Sequence, residues 1–171
     1  MSLTFIVGTA ADVFAGELAS RVGQALEERF PGADAAGEEP YRSEPVTAAG
    51  WPQLQKRAAA ALGREAVPQL TSIEAYQAVY ITEDTDVQHV AIPTAADPLQ
   101  IGSVPRLLAE LHRFAAGASL PTGDLELMQL AVKYLEDDES YEQDLDVQTY
   151  IQLMLSARQA TARRQSLWVV T

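Results

Sequence analysis

Both ends of this chain are short apolar runs of the kind that form buried β-strands. Residues 3–7 read LTFIV and are followed by Gly8, and the last six residues read SLWVVT. Short runs rich in β-branched and aromatic residues predict strands, and a terminal strand needs partners within a sheet to stay ordered. We therefore expect both ends to be tied into a sheet against which the rest of the chain packs.

The segments between the two ends carry mostly helical patterns. Apolar side chains recur at helical spacing from Phe14 to Phe30, and Pro52 suits the first position of a helix that stops at Gly63. Further apolar stripes run over residues 104–115, where Glu110 lies outside the stripe, and over residues 124–136 and 145–164. This order predicts an α+β fold with a mixed sheet of about four to five strands, covered by about five helices. At this length we expect one domain over residues 1–171.

Residues 74–93 alternate aromatic, β-branched and small residues on both sides of the acidic turn EDTD at residues 83–86. The pattern predicts two strands joined as a hairpin, placed centrally in the sheet. With Asp84 and Thr85 at its tip, Tyr80 lies opposite His89 and shares a face with it. Together with Tyr76, these two side chains define the chain's candidate ligand pocket.

The chemistry of that pair has two interpretations. Histidine transfers protons near neutral pH and a neighbouring tyrosine can orient it, so His89 and Tyr80 are the alternative catalytic residues. Cross-strand aromatic pairs also stabilise sheets without any chemistry, which is the interpretation we favour. The sequence has no Gly-x-Ser-x-Gly nucleophile motif, no His-x-x-x-His spacing, and only one other histidine, His112. We predict no catalytic residue, no metal and no cofactor.

Charge and cysteine content narrow the range of partners. Twenty-four acidic residues against twelve Lys and Arg give a formal charge of −12, which repels nucleic acid and anionic membrane surfaces. The chain has no cysteine, which excludes disulfides and thiolate chemistry. Its apolar N-terminal run is interrupted by Gly8 and Asp12, a pattern that fits neither a signal peptide nor a membrane span. We expect a cytoplasmic protein that binds neither nucleic acid nor membranes.

Residues 124–136 form the most unusual helical pattern, because apolar residues fall on two sides. One side carries Leu125, Met128, Val132 and Leu135; the other carries Leu127, Leu130, Ala131 and Tyr134. A helix with two apolar sides either crosses the middle of a helical layer or has its second face covered by another chain. We predict an interface here, with Leu127, Leu130 and Tyr134 as its residues.

Two further features of the sequence are candidate interface elements. Residues 136–146 contain seven carboxylates but lack the glycine and alternating acids of a calcium loop. A solvated loop is favoured, with a metal site or a docking surface for a basic partner as the alternatives, and Asp137 and Asp138 are the candidate contacts. Trp51 lies at a helix entry between Gly50 and Pro52, and tryptophan is favoured in interfaces.

These patterns favour a non-enzymatic acidic binding or regulatory protein that acts through a protein–protein interface. The partner is another protein or a second copy of the chain, which would make a homodimer. The alternative is a small enzyme or ligand-binding protein with its pocket at the predicted hairpin of residues 75–93.

Overall fold

A single mixed β-sheet forms the frame of the protein in the computed structural model, which describes residues 1–136 and 142–171. Seven strands lie within the described residues, more than predicted, because two of them are only two residues long. The strands are β1 (Ser2–Gly8), β2 (Tyr41–Arg42), β3 (Val46–Thr47), β4 (Ala78–Ile81), β5 (Gln88–Val90), β6 (Leu99–Ser103) and β7 (Ser166–Val170).

The two ends of the chain pair with each other near the middle of the sheet. The strand order is β2-β1-β7-β4-β6-β5, and β3 also pairs with β1. β1 and β7 run antiparallel with Ile6 opposite Trp168, and the Trp168 indole N–H donates to the Gly8 carbonyl at 3.1 Å. The prediction that both ends belong to the sheet is confirmed.

The predicted hairpin is wrong, because β4 and β5 do not pair. β6 lies between them, parallel to β4 and antiparallel to β5, so Tyr80 is paired with Gly102 and His89 with Gln100. The acidic turn after β4 is held near the end of β6 by Arg106, which forms ion pairs with Asp84 and Asp86. The six residues between β4 and β5 are long enough to cross one intervening strand, since strands are about 4.8 Å apart.

Six α-helices cover the sheet within the described residues. They are α1 (Gly16–Arg29), α2 (Gly50–Leu62), α3 (Pro68–Thr71), α4 (Val104–Ala118), α5 (Asp124–Glu136) and α6 (Leu145–Arg163). α2 ends at Gly63, whose φ of +84° is a left-handed conformation that favours glycine, as the sequence predicted. The Ser103 side chain accepts a bond from the Arg106 N–H and caps α4.

The helices lie on two faces of the sheet, and alternate strand residues point to each. On one face, Ile6, Val79 and Trp168 pack with Val22 and Leu26 of α1. On the other face, residues of the same strands pack with α2, α3, α4 and α6; they are Phe5, Val7, Ala78, Tyr80, Leu167 and Val169. The sheet is therefore the middle layer of the molecule, as its period-two alternation requires.

α6 is the central helix of the larger layer. It contacts α2, α4, α5 and β1, and its side chains are buried on nearly every side. The apolar stripe predicted over residues 145–164 is buried, including Val147, Tyr150, Ile151, Met154 and Ala157. Because α6 fills the middle of the layer, α5 is left at its outer edge with one side open.

Candidate interaction surface

α5 packs against the protein by one of its two apolar sides. Leu127 is fully buried, Tyr134 is 9% exposed, and Leu130 and Ala131 are half-buried against the core. The helix is fixed at its start by an ion pair between Asp124 and Arg158 of α6. The loop before it is held by the Tyr150 hydroxyl, which donates to the Pro121 carbonyl at 2.7 Å. α5 therefore presents a defined opposite side to solvent.

That opposite side is apolar and exposed. Leu125 is 65% exposed, Met128 57%, Val132 49% and Leu135 71%. Only two other large hydrophobic residues among those described are exposed to a similar degree, Met1 and Tyr76. Single exposed apolar side chains are ordinary, whereas a contiguous apolar group on one helix is a candidate interaction surface. We call these four residues the α5 outer face.

The α5 residues predicted to form an interface lie mostly on the inner side of the helix, which faces the core. Leu127 and Tyr134 belong to the hydrophobic core, and Leu130 packs against it. The pattern alone gives two equal apolar sides, and only the position of α6 decides which one is internal. The outward side is the α5 outer face.

A groove continues the α5 outer face toward the sheet. It lies between α5, α6 and β3, has a volume of about 60 Å³, and is lined mainly by apolar atoms. Leu135 belongs to both the outer face and the groove, and Glu44 stands at its rim in an exposed position. The other lining residues are Pro45, Val46, Ala131, Tyr134, Gln148, Ile151 and Gln152.

Tyr134 lines the inner wall of this groove, and its pKa is raised by burial and by a neighbouring carboxylate. Its hydroxyl lies 3.4 Å from the Asp144 carboxylate, to which it donates. Burial, and then the Asp144 charge, raise the pKa of Tyr134 to about 12. The phenol therefore stays neutral at physiological pH, and the groove keeps an apolar wall with acids at its edge.

The surroundings of the α5 outer face are acidic. α5 itself carries three acids, Asp124, Glu126 and Glu136, against one base, Lys133. Asp124 is neutralised by Arg158, whereas within the described residues Glu126 and Glu136 form no ion pair. The outer face is thus an apolar strip with net negative flanks.

Two of the three predicted pocket residues, Tyr76 and His89, come together, whereas Tyr80 lies apart from them. Tyr80 is fully buried in the core, and its hydroxyl donates to the Gln69 carbonyl at 2.7 Å. Its ring occupies space that a side chain at position 102 would fill, since a Cβ on Gly102 would lie 2.5 Å from it. His89 and Tyr76 are exposed and line a separate open depression of about 240 Å³ with Glu74 and Asp97.

The remaining predicted interface residues are not on the described surface. Trp51 is 2% exposed, and its indole N–H donates to the Ile73 carbonyl at 2.9 Å. It is a core residue in contact with Phe5, which contradicts its assignment to an interface. Asp137 and Asp138 lie outside the described residues.

The turn after β1 has its backbone donors occupied by the protein's own carboxylates. Asp12 accepts from the Thr9 N–H at 2.7 Å, and Asp34 accepts from the Ala10 N–H at 2.6 Å. Burial raises the pKa of Asp34, which the Ala10 bond opposes and the nearby Glu27 and Asp12 charges reinforce. These carboxylates take the place that an anionic ligand would occupy.

Sequence reasoning missed a buried carboxylate on α4. Glu110 is 3% exposed and accepts from the backbone N–H groups of Gln69 and Leu70 at 3.0 and 2.9 Å. It was expected outside the apolar stripe, but α3 packs over that side of α4. Burial raises the pKa of Glu110, and the two N–H donors partly oppose this shift. The hydrogen-bond donors to Glu110 are backbone N–H groups, which every non-proline residue has, so no sequence pattern predicts this contact.

Comparison with known proteins finds no matching family model, no matching curated protein and no matching solved structure. Within residues 1–136 and 142–171, no three His, Asp or Glu side chains are grouped so that they could hold a metal ion. In the same residues, every helix is too short or too polar to span a bilayer. The site therefore has to be interpreted from its own geometry.

Proposed function

We propose that this protein is a non-enzymatic binding or regulatory protein that acts through a protein–protein interface centred on the α5 outer face. The observation that carries the proposal is the exposure of Leu125, Met128, Val132 and Leu135 along one side of a single helix. A partner that covers this strip gains the free energy of apolar burial, which the free protein does not have.

The gain from this face is substantial. Each of the four side chains has roughly half to three-quarters of its surface in water, so covering it contributes about 1–2 kcal/mol. Association itself costs about 4–15 kcal/mol, so the apolar surface that the partner buries has to contribute a comparable amount.

The second candidate function is ligand binding or catalysis at the depression beside β5. It is supported by the placement of Tyr76 and His89 in the same depression. It is weakened because Tyr80, which was to orient His89, is on the far side of the Gly102 backbone and is bonded within the core. The depression is also open, whereas small-molecule sites enclose most of their ligand.

Site-specific photo-crosslinking in cells tests the favoured function. One variant carries a photoreactive side chain at Met128, and a matched control carries it at Gln24, which is exposed on α1 across the sheet. We expect a discrete protein adduct from position 128 only, and its loss when Leu125 and Val132 are both changed to Gln. The proposal fails if position 128 gives no adduct, or if both positions give the same one.

A further inference from the structure

We propose that the occupant of the α5 outer face is an amphipathic helix with basic flanks, supplied by a different protein and not by a second copy of this chain. This inference rests on the proposed function and adds the chemistry of the partner. It follows from the spacing of the four residues, the charges beside them, and the size of the surface.

The spacing identifies the shape of the partner. Leu125, Met128, Val132 and Leu135 follow one another at intervals of three, four and three residues. This is the a and d spacing of two heptads, which receives the side chains of another helix as knobs into holes. Leu125 and Leu135 are ten residues apart, so the seam is about 15 Å long at 1.5 Å per residue. A facing helix of about three turns matches that length.

The charges indicate the sign of the partner's flanks. Glu136 flanks the seam. One step further round the helix, position 126 is a glutamate and position 133 is the one lysine of α5; all three are exposed, so this flank carries one net negative charge. Glu44 adds a third acid at the rim of the groove beside Leu135. Lysine or arginine on the flanks of a partner helix would meet these carboxylates, which favours correct encounters and suppresses like-charged partners.

A second copy fits the charges poorly. Each copy has a formal charge of −12, so the two molecules repel one another before contact. A parallel pairing of two α5 helices sets Glu136 beside its own copy, which places like charges together. An antiparallel pairing brings Glu136 against Asp124, whose charge Arg158 already neutralises, so that pairing offers Glu136 no free cation.

The groove beside the α5 outer face also disfavours a homodimer. The four exposed side chains alone form a patch of about a few hundred Å². Any occupant that covers only this patch buries less than the roughly 1,200 Å² of a stable interface, so the favoured occupant also fills the groove. A two-fold pairing of convex helix faces leaves the groove of about 60 Å³ beside Leu135 unfilled. A separate helix can enter that groove with one apolar side chain and bury both surfaces.

Two synthetic peptides test the inference on the intact protein. Both have three heptads with leucine at a and d; one carries lysine and arginine at the flanking positions, and the other carries glutamate there. We expect calorimetry to show that the basic peptide binds at least about tenfold more tightly than the acidic one. Binding of the basic peptide should weaken as the salt concentration is raised. Equal binding of the two peptides would overturn the inference.

Matched variants separate the apolar seam from general charge attraction. Changing Leu125 and Val132 to Gln keeps the net charge and should lower the affinity for the basic peptide by about tenfold or more. Changing Glu126 and Glu136 to Gln should lower it severalfold, whereas the same change of charge at Glu17 and Glu28 on α1 should leave it unaltered. Retained affinity in the Leu125 and Val132 variant, or equal losses in the two glutamate variants, would overturn the inference.

Sedimentation equilibrium distinguishes this inference from the proposed function. A monomer is expected. A dimer that the Leu125 and Val132 changes dissociate would make a second copy the occupant, so that the inference fails while the interface stands. If the protein is monomeric, neither peptide binds, and Met128 gives no photo-adduct, both the inference and the proposed function fail.

Discussion

Two leucines separated by one residue on α5 offer a sharp test of which side of the helix is internal. Leu127 is fully buried in the core, and Leu125 is 65% exposed on the opposite side. Replacing each with alanine removes the same atoms from the same helix, and alanine is at least as good a helix former as leucine. The difference between the two variants therefore reports packing.

The expected costs differ severalfold. Leu127→Ala leaves a cavity in the core, which costs about 2–5 kcal/mol in the free energy of unfolding. Leu125 has only about a third of its side chain covered, so Leu125→Ala forfeits a third of full burial, about 0.5–1 kcal/mol. A small gain in helix propensity offsets part of that loss.

Urea denaturation followed by circular dichroism measures the free energy of unfolding of both variants and of wild type, at two protein concentrations. We expect the slope with denaturant to stay constant, so that the midpoint shift reports stability. A cost above about 2 kcal/mol for Leu125→Ala at both concentrations would show that the α5 outer face is internal. A cost that grows with protein concentration would instead reveal self-association through it.

Three further predictions concern titration and the predicted pocket. Burial raises the pKa of Glu110 above its ordinary value of 4.5; its contribution to stability is present below that value and is lost as pH rises through the folded pKa. Wild type should therefore lose stability relative to Glu110→Gln in urea melts as the pH rises above 4.5, and a constant difference would contradict this. Burial, opposed by the Arg158 charge, raises the pKa of Tyr150 to about 12, so wild type should lose stability from about pH 10 upward. Tyr150→Phe should show a shallower loss in alkaline melts, and an identical pH profile would count against it. Tyr80→Phe leaves the buried Gln69 carbonyl without its 2.7 Å partner and should cost about 1–3 kcal/mol, whereas His89→Ala on the surface should stay within about 0.5 kcal/mol of wild type. Equal costs for Tyr80→Phe and His89→Ala would refute the separation of the two residues.

Local patterns were sufficient to predict most elements of the fold. The terminal strands and the helix that stops at Gly63 both depend on residues close in sequence. The inward face of α6 was also predicted, because its apolar stripe is continuous over nineteen residues. For these elements local propensity and tertiary packing favour the same secondary structure.

Strand pairing was not predictable in the same way. Residues 95–102 contain proline, glycine and small residues, a composition that predicts a loop, yet Leu99–Ser103 forms β6. Gly102 removes the clash with the Tyr80 ring and lets β6 lie beside β4, a contact between residues far apart in sequence. Once β6 takes that place, Tyr80 and His89 have to separate.

The sequence predicted the existence of an apolar surface on α5 but not which side of the helix carries it. The two apolar sides of residues 124–136 are visible in the sequence, but the choice between them depends on α6, which follows α5 along the chain. Trp51 illustrates the same difficulty. Its neighbours in sequence are those of an exposed helix entry, whereas its indole N–H is bonded to Ile73 inside the core.

Hydroxyl-radical footprinting in intact cells and on purified protein tests directly whether the α5 outer face is a working surface. Met128 is 57% exposed, Tyr76 at 50% provides an exposed reference on another surface, and Met154 is fully buried. In the purified protein we predict labelling of Met128 and Tyr76 but not of Met154. In cells the labelling of Met128 relative to Tyr76 should fall severalfold, because a partner helix covers it. An unchanged ratio would contradict the assignment of this face to an interface.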